Sequence, residues 1–189
     1  MCVGLLGLQG AFRDHIPVLK TLKAEFRIVK EADDLSKVDR LILPGGESTV
    51  MAKFLNEFAM TKPLRDKIRK GMPVWGICAG CVLLADRAEG HAGLLQVLPA
   101  EIQRNAYGRQ LASDMKMINI PAFRYSDFPA IFIRAPRFLS LGSGVEVLAR
   151  CEKDPVFVRS GNIMATTFHP ELSGNPIFHE YFLALQQKI

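Results

Sequence analysis

The sequence predicts an α/β fold, parallel in its first half and mixed in its second. Three observations predict it. Between Val3 and Ala85, short apolar runs alternate with stretches of helical spacing, the pattern of parallel strands joined by crossover helices. The first and third of these runs stop at glycine turns, Gln9-Gly10 and Pro44-Gly45-Gly46. From Leu95 onward the texture changes, and short strand-like runs dominate until a final helical stretch.

Val3 to Leu8 reads as the first strand. The helix after it starts near Asp14, an acceptable N-cap, because Pro17 is tolerated only in a first turn; Ile16, Leu19 and Leu22 then share a face. Phe26 to Val29 and Arg40 to Leu43 are the second and third strands. Ser48 or Thr49 can cap a helix whose apolar face is Val50, Phe54, Leu55 and Phe58. Thr61 caps the next helix, with Pro63 in its first turn and Gly71 past its end. Val74 to Ile77 is a fourth, buried strand, and Ala79 to Ala85 the helix after it. Strands are then expected over Gln96 to Gln103, Gln110 to Ile120, Ala130 to Ile133, Val145 to Ala149, Pro155 to Arg159 and Asn162 to Phe168. Asn175 and Pro176 start the last helix, with Ile177, Phe178, Tyr181, Phe182 and Leu185 turned inward.

At 189 residues the chain suits one domain, residues 1–189, large enough to bury a core without staples. Apolar residues at 49% and charged ones at 23% exclude a disordered chain. The longest charge-free stretch, Gly71 to Ala85, is too short to span a bilayer. The apolar N-terminus lacks the basic flank of a signal peptide. The four cysteines, Cys2, Cys78, Cys81 and Cys151, are too scattered for a secreted disulfide framework, so a reducing cytoplasm is expected. Net charge is +5, with its densest basic cluster from Lys62 to Lys70. That cluster reads as a solvated helix face rather than a nucleic-acid surface.

Three segments carry chemistry. Val74-Trp75-Gly76-Ile77-Cys78-Ala79-Gly80 sets a cysteine between small residues where a strand meets a helix, the thiol version of a nucleophile elbow. A helix N-terminus there favours thiolate, although an inert core thiol gives the same local signal. A cysteine nucleophile needs a base. Of the four histidines, His15, His91 and His179 suit structural or surface roles. His169 follows an apolar strand, Pro170 keeps it extended, and Glu171 can face the same way to orient it. Pro44-Gly45-Gly46-Glu47-Ser48 can present backbone N–H groups as an oxyanion hole, or form only a tight turn. All three lie at the carboxyl ends of expected strands, where open α/β sheets hold ligands. Zinc is disfavoured because Cys78 and Cys81 lack two further ligands at suitable spacing. A thioredoxin-like redox role for the C-x-x-C pair leaves the histidine, the glutamate and the glycine turn unexplained.

Together these segments resemble class I (triad) glutamine amidotransferases. The motifs Leu6-Gly7-Leu8-Gln9-Gly10-Ala11, Leu43 to Thr49, Cys78-Ala79-Gly80, Arg104 to Gln110, Phe132 to Pro136 and Phe168 to Leu172 are similar to those of the glutaminase subunit of pyridoxal 5′-phosphate synthase. The resemblance implies a flavodoxin-like three-layer α/β fold with a mixed, mostly parallel sheet flanked by helices. It implies hydrolysis of L-glutamine, with ammonia passed to a separate synthase subunit, and no metal or organic cofactor. Carried over, Cys78 is the nucleophile, His169 the acid and base, and Glu171 the orienting carboxylate. The oxyanion hole is the backbone N–H groups of Gly46 and Ala79; glutamine is held by Gly46, Glu47, Ser48, Arg104, Ile133 and Arg134. The free glutaminase of this family is typically poorly active until its synthase docks, and Gln9-Gly10 is a candidate for that coupling. The chain departs from the family at Cys81, which replaces a leucine or methionine, at a longer Gln96 to Gln103 stretch, and at Ser113-Asp114-Met115. A catalytically lost scaffold, or a glutaminase for another acceptor, are the competing expectations.

Overall fold

The computed structural model describes residues 1–106 and 114–186. In chain order the elements are β1 (Cys2–Leu6), α1 (His15–Thr21), β2 (Glu25–Val29), β3 (Arg40–Leu43), α2 (Ser48–Glu57), α3 (Thr61–Arg69), β4 (Val74–Ile77), α4 (Ala79–Leu84), β5 (Ala85–Ala88), β6 (His91–Ala92), β7 (Leu98–Gln103), β8 (Asp114–Ile120), β9 (Tyr125–Phe132), β10 (Arg137–Leu141), β11 (Glu146–Cys151), β12 (Asp154–Ser160), β13 (Ile163–Thr166) and α5 (Ile177–Ala184). Seven strands form the main sheet in the order β11-β12-β13-β4-β3-β1-β2. The run β13-β4-β3-β1-β2 is parallel, while β11 and β12 join antiparallel at one edge. This is the expected α/β arrangement with a mixed, mostly parallel sheet.

Successive strand residues point to opposite faces, so each strand feeds two cores. Val3, Leu5, Ile42, Trp75 and Ile77 pack on one side with Leu19 of α1 and with Phe178 and Phe182 of α5. Leu6, Leu41, Leu43 and Val74 pack on the other with Met51 and Leu55 of α2, Leu64 and Ile68 of α3, and α4. These are the two helical layers around the sheet. A four-stranded sheet, β10-β7-β5-β6, adds to the α4 side through Leu98, Ile102 and Phe138, and the β8–β9 hairpin covers the Trp75 side through Ile118 and Phe128. Among the described residues no helix is long and apolar enough to cross a membrane.

Several sequence expectations are corrected. The buried face of α2 is Ser48, Met51 and Leu55, whereas Val50 is 37% and Phe58 52% exposed. Val50, Phe54 and Phe58 do form a stripe at fourfold spacing, but it faces outward, with the Phe54 and Phe58 rings stacked 6.0 Å apart. Periodicity finds a stripe without saying which side of the helix meets the sheet. Neither Asp14, Ser48 nor Thr61 makes a side-chain cap: a 3-10 turn over Phe12–Asp14 leads directly into α1, and Glu47 and Met60 occupy the other two cap positions. At the last helix Pro176 holds the cap position in place of Asn175, which still bonds forward, its Oδ1 accepting the Ile177 N–H at 3.0 Å. Strands β5, β6 and β10 were not expected from the sequence. The β5–β6 hairpin turns at Glu89-Gly90, both with positive φ (52° and 78°), and a Glu-Gly pair is not among the strong hairpin signals. β9 starts well before Ala130 because Pro129 is tolerated in a two-stranded pair, where an edge always faces away from the ladder. The expected strand start at Gln110, the end of the Arg104 to Gln110 motif and Ser113 lie outside the described residues.

Candidate active site

Three neighbouring parallel strands deliver the chemistry. β3 ends in Pro44-Gly45-Gly46, β4 ends in Cys78, and β13 leads through Thr167 and Phe168 to His169. Cys78 has φ 49° and ψ −101°, a conformation an L side chain adopts only when its surroundings compel it, at a cost of about 1–3 kcal/mol. Two ties hold it there: its N–H donates to Thr166 O at 2.8 Å, and its carbonyl accepts the Cys81 N–H at 3.0 Å. Gly80 permits the sharp turn, since a Cβ there would collide with the Leu43 carbonyl oxygen. The result is a nucleophile elbow, with α4 starting at the next residue.

His169 and Glu171 are both buried, at 6% and 5% exposure. His169 Nδ1 lies 2.7 Å from Glu171 Oε1, and its backbone N–H is fixed on Ile131 O at 2.8 Å. The imidazole packs on Gly45, where any side chain would displace it. Burial by itself disfavours the imidazolium, but hydrogen bonds and charge from Cys78 and Glu171 outweigh burial and push the His169 pKa up to about 10. With Nδ1 committed to Glu171, Nε2 is the ring nitrogen left for Cys78. The Cys78 thiol also lies 3.8 Å from Ile133 O.

A cleft of about 290 Å³ opens over these groups, lined by Gly46, Glu47, Ser48, Cys78, Ala79, Arg104, Ile133, Arg134 and His169. That is near the small end of small-molecule sites, about 300–1,000 Å³. Every site residue named from the sequence therefore meets in one place, except Glu171, which stands behind His169. Two of the charged residues already have partners at the rim. Arg104 Nη2 is 2.9 Å from Glu89 Oε2, which raises the Arg104 pKa and lowers that of Glu89. Arg134 Nη2 is 4.0 Å from Glu47 Oε2.

The sequence reading missed Ala11, Val82, Asn105 and Pro136 as cleft residues; three of them sit inside the quoted motifs, and Val82 lies one helical turn beyond Cys78. It also missed how Gln9 acts. The Gln9 side-chain oxygen accepts the Glu47 N–H at 2.9 Å, and Ala11 N–H donates to Gly45 O at 2.9 Å. The loop after β1 thus grips the glycine turn of β3. The other two buried histidines are structural: His15 Nδ1 and His179 Nε2 are 2.9 Å apart, both against Trp75. Among the described residues no cluster of three or more His, Cys, Asp or Glu side chains could hold a metal ion.

Comparison with known proteins agrees with this geometry. The chain matches the SNO glutamine amidotransferase family over residues 5–188. It is 46% identical to the pyridoxal 5′-phosphate synthase subunit PdxT of Dehalococcoides mccartyi, over 98% of this chain and 97% of that one. It is 48% identical to the protein of the same description from Thermotoga sp. strain RQ2, over 98% and 99% of the two chains. Among solved structures, one described as a glutamine amidotransferase superposes with a TM-score of 0.90 at 41% identity, covering 97% of each chain. The chain belongs to the SNO glutamine amidotransferase family.

Proposed function

We propose that this chain, as one glutaminase domain spanning residues 1–189, hydrolyses L-glutamine to L-glutamate and delivers the ammonia to a pyridoxal 5′-phosphate synthase subunit in the cytoplasm. The observation that carries the reading is the Cys78, His169 and Glu171 arrangement at one cleft, with its 2.7 Å imidazole–carboxylate hydrogen bond. The family membership and the PdxT relatives support the substrate and the partner.

In this reading Cys78 Sγ attacks the side-chain amide carbon of glutamine. The oxyanion that forms is held by the N–H groups of Gly46 and Ala79. His169, already an imidazolium, gives its proton to the amide nitrogen; the C–N bond breaks and ammonia leaves. A glutamyl thioester remains on Cys78. Neutral His169 then takes a proton from water, whose oxygen attacks the thioester carbon, and glutamate departs as the thiolate–imidazolium pair is restored. Glu171 keeps the ring oriented and stabilises its charge. Glu47, Ser48, Arg104, Ile133 and Arg134 hold the amino acid end of the substrate, where a carboxylate and a guanidinium can pair with its two charges. The grip of Gln9 and Ala11 on the Gly45-Gly46-Glu47 turn supports a role for that loop in coupling synthase docking to the oxyanion hole.

The test is ammonia release from L-glutamine by the purified protein, with and without a PdxT-compatible synthase subunit, beside Cys78→Ala. Release that rises with the synthase and vanishes in the variant is expected. Full activity in Cys78→Ala would remove the cysteine mechanism, and release indifferent to the synthase would reopen the identity of the acceptor.

A further inference from the structure

Cys81 has no part in the mechanism above, yet it stands one helical turn from the nucleophile. We infer that Cys78 and Cys81 form a reversible redox switch, in which a peroxide oxidises the nucleophile and Cys81 captures it as an intramolecular disulfide. This inference deepens the glutaminase reading and rests on Cys78 being the reactive thiol.

The geometry supports it in three ways. First, the two residues are locked into one turn, because the Cys81 N–H donates to Cys78 O at 3.0 Å. A turn closed between residues i and i+3 holds its Cα atoms within about 7 Å, overlapping the window of about 4.4–6.8 Å that a disulfide needs. Second, one oxygen gathers both residues: Thr166 O accepts the Cys78 N–H at 2.8 Å and the Cys81 thiol at 2.9 Å. The Cys81 sulfur therefore lies directly beneath the elbow, with Gly76 O as a further acceptor at 3.2 Å. Third, the two thiols differ in access. Cys78 lines the cleft beside His169, open to a small molecule that enters it. Cys81 is fully buried, and burial pushes its thiol pKa well up. A small oxidant reaches the first before the second. Cys2 and Cys151 stand elsewhere, on β1 and β11.

The chemistry balances. The Cys78 thiolate attacks one oxygen of a peroxide; an S–O bond forms, the O–O bond breaks, and the hydroxide or alkoxide released takes up a proton. Cys78 is then a sulfenic acid, sulfur oxidised and peroxide reduced. Cys81 sulfur attacks Cys78 sulfur, its proton joins the departing hydroxide as water, and the S–S bond replaces S–O. Two thiols of a dithiol reductant reverse the step and leave as a disulfide. Bridged Cys78 cannot attack glutamine, so the glutaminase is off but protected from further oxidation.

The experiment treats the protein with hydrogen peroxide, then with dithiothreitol. It reads synthase-stimulated ammonia release and, separately, the mass of the peptide carrying Cys78 and Cys81. Wild type is expected to lose activity as that peptide loses two hydrogens, and to recover within about twofold on reduction. Cys81→Ser and Cys81→Ala, checked for folding by circular dichroism, should keep their activity when reduced. After peroxide their Cys78 should gain two or three oxygens, and dithiothreitol should restore nothing. Wild-type Cys78 over-oxidising as readily as in the variants, or a bridge to Cys2, Cys151 or a second copy, would overturn the switch. If neither variant folds, the wild-type masses still decide: an intramolecular loss of two hydrogens supports the switch, and Cys78 carrying two or three oxygens with no bridge overturns it. Reduced wild type that releases no ammonia with the synthase present would instead defeat the glutaminase reading, while the peptide mass still reports on the bridge.

Discussion

Replacing Glu171 with Gln removes one charge and almost no volume. Glu171 is 5% exposed, its Oε1 is 2.7 Å from His169 Nδ1, and its Oε2 has no hydrogen-bond partner among the described residues. The carboxylate is therefore aimed at a single imidazole. Hydrogen bonds to charged partners contribute about 1.5–3 kcal/mol. At about 1.4 kcal/mol per pKa unit, Glu171→Gln should bring the His169 pKa down from about 10 by about one to two units. The same energy, lost from a step in which His169 carries the charge, is about 10- to 150-fold in kcat. KM should move little, because Glu171 does not line the cleft. The assay is ammonia release with the synthase present, paired with an NMR titration of the His169 ring. Stability gives an independent sign. The folded pKa of His169 lies above its unfolded value of about 6.5, so its stabilising contribution is complete below that pH and is lost as pH rises through about 10. The urea-unfolding gap between wild type and Glu171→Gln should therefore be widest in mild acid and close in strong base. A kcat within twofold of wild type together with an unmoved His169 titration would refute the account of the pair.

The His15–His179 pair is buried, with the His179 pKa pushed down to about 4 and that of His15 well lowered by burial and then by the charges of His179 and His169. Stability held above about pH 6.5 should thus fall as pH drops toward 4, by about 3 kcal/mol for His179 alone; urea melts should show this slope flattened in the double variant His15→Gln/His179→Gln. Phe58→Ser should change stability by less than about 0.5 kcal/mol, since Phe58 is exposed, whereas Leu55→Ala from the buried side of the same helix should cost about 2–5 kcal/mol. Gly80→Ala sets a Cβ against the Leu43 carbonyl oxygen and should cost about 1–3 kcal/mol in urea unfolding, with glutaminase activity falling as the elbow shifts. Arg104→Ala should raise KM for glutamine about tenfold, while Glu89→Gln, which breaks only a half-exposed rim pair, should change it less than threefold.

The parallel half of the fold is legible because three of its strands, β1, β3 and β4, are fully buried and the turns after them carry glycine. Leu41 to Leu43, entered through Arg40, and Val74 to Ile77 are continuous apolar stretches closed by sharp turns, and the expected bounds Arg40 to Leu43 and Val74 to Ile77 match the strands residue for residue. The second half is less legible. Strand β10 buries little beyond Phe138, so alternation is weak, and the β5–β6 hairpin turns without asparagine, aspartate or a second glycine. The α2 error has a different origin: Val50, Phe54 and Phe58 satisfy helical spacing as well as Met51 and Leu55 do, and only contact with the sheet separates the two stripes. For the site, Cys78, His169 and Glu171 announce themselves by chemistry, whereas Gln9 acts through a hydrogen bond to a backbone N–H 38 residues away, a relation no local pattern encodes.

The order β13-β4-β3-β1 has a mechanical consequence. Neighbouring strands sit about 4.8 Å apart by virtue of their ladders, so the spacing between base, nucleophile and glycine turn is written into backbone hydrogen bonds inside the main sheet. The peripheral sheet that bears Glu89 and the hairpin leading to Ile133 hang from that frame without belonging to it. Substitutions in those outer walls can therefore reshape the mouth of the cleft while the tolerances of the reaction stay where the central ladder put them.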